Sequence, residues 1–163
     1  MTLQTGQSLP DATVLIMGDD GPSQVLLHSL LKGRKVVLFA LPGAYTGTCT
    51  TAHVPSFIRT APGFAEKGVD EILCLAVNDP FVMAAWGKDT GATEAGITML
   101  ADVQAEFTKA VGMEFNVPER GFIDRSKRYA MLVEDGVVTI LNEEVNGGTC
   151  DISGGETLLA QLD

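Results

Sequence analysis

The chain has 163 residues and a formal charge of −10, with 45% apolar and 20% charged residues. That length and apolar fraction suit a single domain spanning residues 1–163 and exclude a disordered chain. A surface this acidic repels phosphate backbones and anionic lipid, which argues against nucleic-acid and membrane partners. No apolar run approaches the ~20 residues of a membrane helix. The start, Met1 to Gln7, has neither a basic nor an apolar targeting stretch, so the cytoplasm is the expected compartment. Three cysteines (Cys49, Cys74 and Cys150) are odd and sparse, a poor fit to a secreted disulfide framework. With no C-x-x-C pair and two isolated histidines, no metal or other cofactor is expected.

In chain order, Thr13–Ile16 reads as a short strand ending at the turn cluster Gly18 to Pro22. Gln24 to Lys32 is expected to be a short helix closed by Gly33. Lys35 to Leu41 is a continuous apolar strand of the kind buried on both faces, and Glu71 to Val77 is a second. The segment between them, Thr50 to Lys67, reads mostly as helix despite Pro55 and Pro62, so the three make a βαβ unit with a parallel pair. Asn78-Asp79-Pro80 has N-cap chemistry before a helix from Phe81 to Lys88. Ile97–Leu100 is a further strand, and Gln104 to Val111 a helix. Tyr129–Val133 and Val137–Leu141 flank Glu134-Asp135-Gly136, the clearest hairpin signal in the chain. Gly147-Gly148 opens a loop, and Glu156 to Leu162 closes as helix. There is no repeat, linker or low-complexity tract. The order implies an α/β chain with a mixed central sheet and helices on both faces, the layout of a thioredoxin-like fold.

Pro42-Gly43-Ala44-Tyr45-Thr46-Gly47-Thr48-Cys49 joins the first buried strand to the helix that follows. An ordinary cysteine titrates at ~8.5, and the thiolate is the nucleophile. In the first turn of a helix, unpaired N–H groups and the macrodipole favour an anion, so Cys49 stands where a backbone can make a thiol reactive. Thr46 places a hydroxyl beside the sulfur, able to donate to the thiolate or to a substrate oxygen. Pro42 shapes the turn as an apolar wall, and Gly43 and Gly47 permit close backbone approach. Most unpaired cysteines are packing residues; the strand–turn–helix context and the Pro42/Thr46/Cys49 spacing favour the reactive reading here.

Pro42-x-x-x-Thr46-x-x-Cys49 resembles the active-site pattern of peroxiredoxins, thiol peroxidases of the thioredoxin superfamily. The wider run from Leu41 to Phe57, with His53 and Pro55, is similar to the atypical type II subfamily, which includes plant type II and mammalian type V enzymes. Cys74-Leu75-Ala76-Val77-Asn78-Asp79, Ala85-Trp86-Gly87 and Arg128-Tyr129-Ala130-Met131 extend the resemblance over nearly the whole chain. It implies that Cys49 is the peroxidatic cysteine, that Pro42 and Thr46 complete its pocket, and that Arg128 reaches the thiolate from a distant strand. Without it, Arg128 beside Arg125 and Lys127 reads as a solvated surface charge. The implied reaction reduces hydrogen peroxide or an organic hydroperoxide through a Cys49 sulfenic acid. Glutathione/glutaredoxin or thioredoxin is the implied reductant and a homodimer the implied assembly. The pattern departs at Gly47, where the family usually has proline, and at Thr50, where it often has serine. Gly47 is expected to leave the turn more mobile.

The thiol that resolves the sulfenic acid stays open. Plant type II enzymes place a resolving cysteine at a spacing similar to that of Cys74, yet Cys74 lies inside an apolar strand and reads equally as a core thiol. Cys150 follows a Gly-rich loop near the place of the mammalian resolving cysteine. An external thiol ranks first, Cys150 second and Cys74 third. His53, at i+4 from Cys49, would also suit a cysteine hydrolase, but no orienting Asp or Asn is identifiable, so local packing or hydrogen bonding is its expected role. His28 has no assigned role. Phe81 and Trp86 read as core or as a partly exposed dimer face. The alternative functions are a redox-sensing or chaperone-like thiol protein and a binding domain without chemistry.

Overall fold

The computed structural model describes residues 2–146 and 148–163. Met1 and Gly147, the first glycine of the expected Gly147-Gly148 loop, lie outside the described residues. The elements in order are β1 (Thr13–Gly18), β2 (Gly21–Leu26), α1 (Leu27–Leu31), β3 (Lys35–Ala40), α2 (Val54–Glu66), β4 (Glu71–Ala76), α3 (Pro80–Thr90), β5 (Ile97–Ala101), α4 (Glu106–Ala110), β6 (Glu114–Val117), β7 (Phe122–Ser126), β8 (Tyr129–Glu134), β9 (Val137–Glu143) and α5 (Gly155–Ala160).

Seven strands form one sheet in the order β2-β1-β5-β4-β3-β8-β9. β3, β4 and β5 run parallel, and β1, β2, β8 and β9 are added antiparallel, so the sheet is mixed as expected. The period of two along each strand sorts side chains onto two faces. Val37, Phe39, Ile72 and Cys74 point to one face, where Phe57 and Phe64 of α2, Trp86 of α3 and Leu158 of α5 pack. Val36, Leu38, Leu73 and Leu75 point to the other, against Leu27 and Leu31 of α1 and Phe107 of α4. Helices thus cover both faces, which explains why β3 and β4 read as unbroken apolar runs. The Asp135-Gly136 turn has φ of +48° and +78°, the two left-handed residues that a tight hairpin turn requires.

One expectation needs correction. Gln24 to Lys32 is not all helix: residues 21–26 pair with β1 around Asp19-Asp20, and only Leu27–Leu31 is helical. The open edge of β1 offers ladder hydrogen bonds that outweigh a weak local helix preference, and the backbone N–H of His28 is instead satisfied by Asp11 Oδ1 at 3.0 Å. β6 and β7 form a separate two-stranded hairpin in a stretch where the sequence pattern predicts no element. Its short strands, interrupted by Pro118 and Gly121, carry no clean alternation.

Helix α5 lies directly on α2. Gly155 N–H donates to Ser56 Oγ at 2.9 Å, and a Cβ added at Gly155 would collide with Thr60 Oγ1 and the Ser56 carbonyl. Gly155→Ala is therefore expected to destabilise the fold by about 1–3 kcal/mol through overpacking. Urea unfolding would show this as a lower midpoint with unchanged slope.

Candidate active site

The site is built at the C-terminal end of β3. Because β8 runs antiparallel to β3, with Ala40 opposite Tyr129, the residue before β8 arrives beside the turn that leaves β3. That residue is Arg128. The turn is held by side chains from two other elements. Asn78 Oδ1 accepts from Ala44 N–H at 2.9 Å, and Arg125 Nη1 donates to the Pro42 carbonyl at 2.9 Å. A Cβ at Gly43 would fall on Arg125 Nη1, so a side chain there would displace the guanidinium from the Pro42 carbonyl. Gly47 is different from the expectation: it is exposed, with no atom within 4 Å of a Cβ built on it. Thr46 differs too. Its hydroxyl donates to the Gly43 carbonyl at 2.7 Å, closing the turn, so its proton is committed and its lone pairs remain to accept.

Residues 47–66 are continuously helical, but Cys49–His53 form a π-turn in which Val54 N–H bonds to the Cys49 carbonyl. Pro55 follows immediately and has no N–H to give to that turn. The expected helix thus exists, with its first turn widened at the cysteine, as π-bulges often are at functional positions. Thr50 Oγ1 accepts from the indole N–H of Trp86 at 3.1 Å. Trp86 is fully buried, whereas Phe81 is 65% exposed, so only the second fits a partly exposed face.

Cys49 is fully buried, and Arg128 is 2% exposed. Arg128 Nη2 donates to Cys49 Sγ at 3.2 Å, and Nη1 lies 3.0 Å from His53 Nδ1. A guanidinium can only donate, so Nδ1 is the acceptor and the imidazole proton sits on Nε2, which donates to the Ser153 carbonyl at 3.0 Å. Burial, and then the Arg128 charge, push the His53 pKa down to about 3, so the ring is neutral at physiological pH. The reading of Arg128 as a solvated charge is therefore overturned. Of the three clustered cations, Lys127 is exposed, while Arg125 and Arg128 both turn inward.

The other two thiols are placed differently. Cys74 is fully buried in β4 on the same face of the sheet as Cys49, and burial, then the Cys49 charge, raise its pKa well above the usual value. Cys150 is half-buried, and burial raises its pKa as well. It sits in the segment that follows β9, which is knitted together by one carboxylate. Glu144 Oε2 accepts from Asp151 N–H at 3.0 Å, Ser153 N–H at 3.1 Å and Ser153 Oγ at 2.6 Å. Burial opposes ionisation of Glu144, but the Ser153 hydroxyl, the two amides and Arg128 together hold its pKa below the usual value. Thr48 Oγ1 donates to the Gly148 carbonyl at 2.7 Å, tying the start of the Cys49 helix to this segment. Beside Pro42 and Arg128 opens a groove of about 710 Å³, lined also by Phe115, Phe122, Lys127 and Glu143.

Arg125, Asn78, Glu144 and Ser153 were not among the expected site residues. Asn78 was absorbed into the cap motif, but Asp79 is the cap, accepting from Val82 N–H at 2.8 Å, which frees Asn78 to reach the turn. Arg125 carried no signal beyond lying among three cations.

A redoxin family pattern matches residues 4–159. Peroxiredoxin-2C of rice is 45% identical over 158 residues, covering 96% of each chain, and Peroxiredoxin-2D of Arabidopsis thaliana is 41% identical over 161 residues, covering 98% of each. The chain belongs to the peroxiredoxins. More narrowly it is a type II/V-like member of the thioredoxin superfamily and a thiol-dependent peroxidase. In fold it is similar to reduced Prx3 of Vibrio vulnificus crystallised in complex with H2O2, with a TM-score of 0.93 and 44% identity over 99% of this chain and 100% of that one.

Neutral, buried His53 makes this peroxiredoxin's stability depend on pH. The unfolded-state imidazole takes up a proton below ~6.5, whereas the folded one does not until about 3. The unfolded state therefore binds more protons in that window, and stability falls as pH drops from about 6.5 toward 3. Urea unfolding between pH 7 and pH 4 should show this slope, and His53→Asn should flatten it.

Proposed function

We propose that Cys49 is the peroxidatic thiol and that Arg128, Thr46 and Pro42 form its pocket. The single observation that carries this is the 3.2 Å hydrogen bond from a buried guanidinium to a buried sulfur. A fixed cation favours the thiolate over the thiol and stabilises charge that develops on the peroxide. The Cys49 thiolate attacks the terminal oxygen of the hydroperoxide, an S–O bond forms and the O–O bond breaks. Sulfur is oxidised to the sulfenic acid, and the departing alkoxide or hydroxide takes a proton to become alcohol or water. Thr46 Oγ1, with its own proton given to Gly43, accepts the hydroperoxide O–H and orients it. Pro42 screens the sulfur from water. The groove beside Pro42 and Arg128 has room for the organic part of a hydroperoxide.

An external thiol, from glutathione/glutaredoxin or thioredoxin, then attacks the sulfenic sulfur. A disulfide forms, hydroxide leaves as water, and a second thiol restores Cys49. Complete burial in a central strand and a raised pKa support reading Cys74 as a core thiol and keep it third as the resolving candidate. Cys150 is the second reading for the resolving thiol, supported by its half-exposed place and the Thr48–Gly148 tie. Exposed Phe81 and Tyr45, both attached to α3, support a homodimer through that face. Three free thiols suit a reducing compartment, for which the cytoplasm is proposed.

In stopped-flow with H2O2, Cys49→Ser should abolish turnover, and a wild-type rate in that variant would remove the assignment. Arg128→Ala is expected to slow oxidation roughly 10²–10³-fold. Intact mass after one equivalent of peroxide separates the routes: a gain of one oxygen means that an external thiol resolves, and a loss of two hydrogens means an internal disulfide. Because Gly47 faces open space at the first helical position, Gly47→Pro should fold normally and keep its oxidation rate within a few-fold.

A further inference from the structure

The ring of His53 is fixed on every side. Phe39 and Phe57 pack on it with centroids 5.0 and 5.6 Å away, Nδ1 faces Arg128 and Nε2 faces the Ser153 carbonyl. Ser153 is fully buried and is positioned by Glu144, through its N–H and its hydroxyl, in the stretch that carries Cys150. We propose that His53 is a positioning residue that relays the conformation of residues 150–154 to the Arg128 guanidinium, and so to the Cys49 thiol.

The relay works through the tautomer. Nδ1 accepts from Arg128 only while the ring proton stays on Nε2, and the Ser153 carbonyl keeps it there. When Ser153 is withdrawn, Nε2–H becomes a buried donor without an acceptor, at about 1–3 kcal/mol. Moving the proton to Nδ1 relieves that loss but aims a donor at Arg128, which also can only donate. The guanidinium then loses its bond to His53, one of those described that place it on Cys49. Any event that draws Cys150 outward, such as a disulfide made through its sulfur, pulls on the same stretch: Ser153 Oγ lies 3.9 Å from Cys150 Sγ. The ionisable groups around Cys49 are Arg128 and His53, with Cys74 in the sheet behind. Those facing Arg128 further out among the described residues are Glu144 and Cys150, with Glu143, Lys127 and Arg120 lining the groove that it borders.

This inference rests on Cys49 being the reacting thiol, but its measurement needs no peroxide. In a Cys74→Ser/Cys150→Ser background, Cys49 is titrated by thiolate absorbance and by the pH dependence of iodoacetamide alkylation. Glu144→Gln weakens the clasp on Ser153 and is expected to raise the midpoint by about half a unit, roughly a threefold loss of thiolate at pH 6. A purely through-space effect has the opposite sign, because removing an anion near Arg128 favours the thiolate; a lowered or unchanged midpoint overturns the relay. His53→Asn sets Oδ1 near the place of Nδ1 and lets go of Ser153. It should keep a near-native midpoint and become insensitive to Glu144→Gln, while His53→Phe, which keeps the packing, should raise the midpoint. An equal response to Glu144→Gln with and without His53 also overturns the proposal. Should Glu144→Gln not fold, Ser153→Ala removes only the hydroxyl arm of the clasp and should shift the midpoint in the same direction. Wild-type protein that titrates as expected yet resists H2O2 would sink the peroxidase assignment and leave the relay standing.

Discussion

A guanidinium that is 2% exposed has lost its water and must find partners for its donors inside the protein. Arg128 finds a sulfur on one side and an imidazole nitrogen on the other. That pair of contacts constrains its surroundings. The imidazole must be neutral, because a charged ring would present a second donor to a cation. It stays neutral because it is buried among Phe39 and Phe57 and beside that same cation. The sulfur must be reached by a helix start, so a sharp turn has to leave β3 at the point where the chain enters β8. A buried charge paired in this way is weak support for stability, but it fixes a geometry that an exposed arginine would not hold.

The sheet does much of the assembly. Three parallel strands end at one edge, where loops collect and ligands of open α/β sheets are bound. β8, inserted antiparallel beside β3, brings its preceding residue to that edge from the far end of the sequence. Cys74 shows the other outcome for the same residue type. It lies on the next strand, on the same sheet face and fully buried, and burial pushes its thiol away from ionisation. Of these two cysteines in one apolar cluster, Cys49 is the one that a guanidinium is described as touching.

How much of this was legible in the residues depended on whether a feature was local. β3, β4 and the Asp135-Gly136 hairpin could be read directly, because unbroken apolar runs and a turn dipeptide are local signals. The Pro42/Thr46/Cys49 turn was legible for the same reason. Arg128 was not: by its neighbours it is a surface charge, and only its resemblance to a family pattern pointed inward. The second half of the Gln24–Lys32 segment is helical, but its first half follows the edge of β1, a partner far from any local window. The hydroxyl of Thr46 was foreseen as a donor, yet its direction is decided by the Gly43 carbonyl three residues back. The π-turn could be anticipated only from Pro55, and the roles of Ser153 and Glu144 from nothing before the fold had brought them to His53.

Gly43 and Arg125 lie far apart in the chain, yet they occupy one space. The guanidinium that braces the Pro42 carbonyl sits where any side chain at 43 would begin. Neither residue touches Cys49 among the hydrogen bonds described, so neither would be found by asking what contacts the sulfur. They are nonetheless coupled through that shared space. An alanine at 43 would push the guanidinium of Arg125 aside, and the Pro42 carbonyl would then lose that donor. Drift at these two positions should therefore be correlated across natural variants.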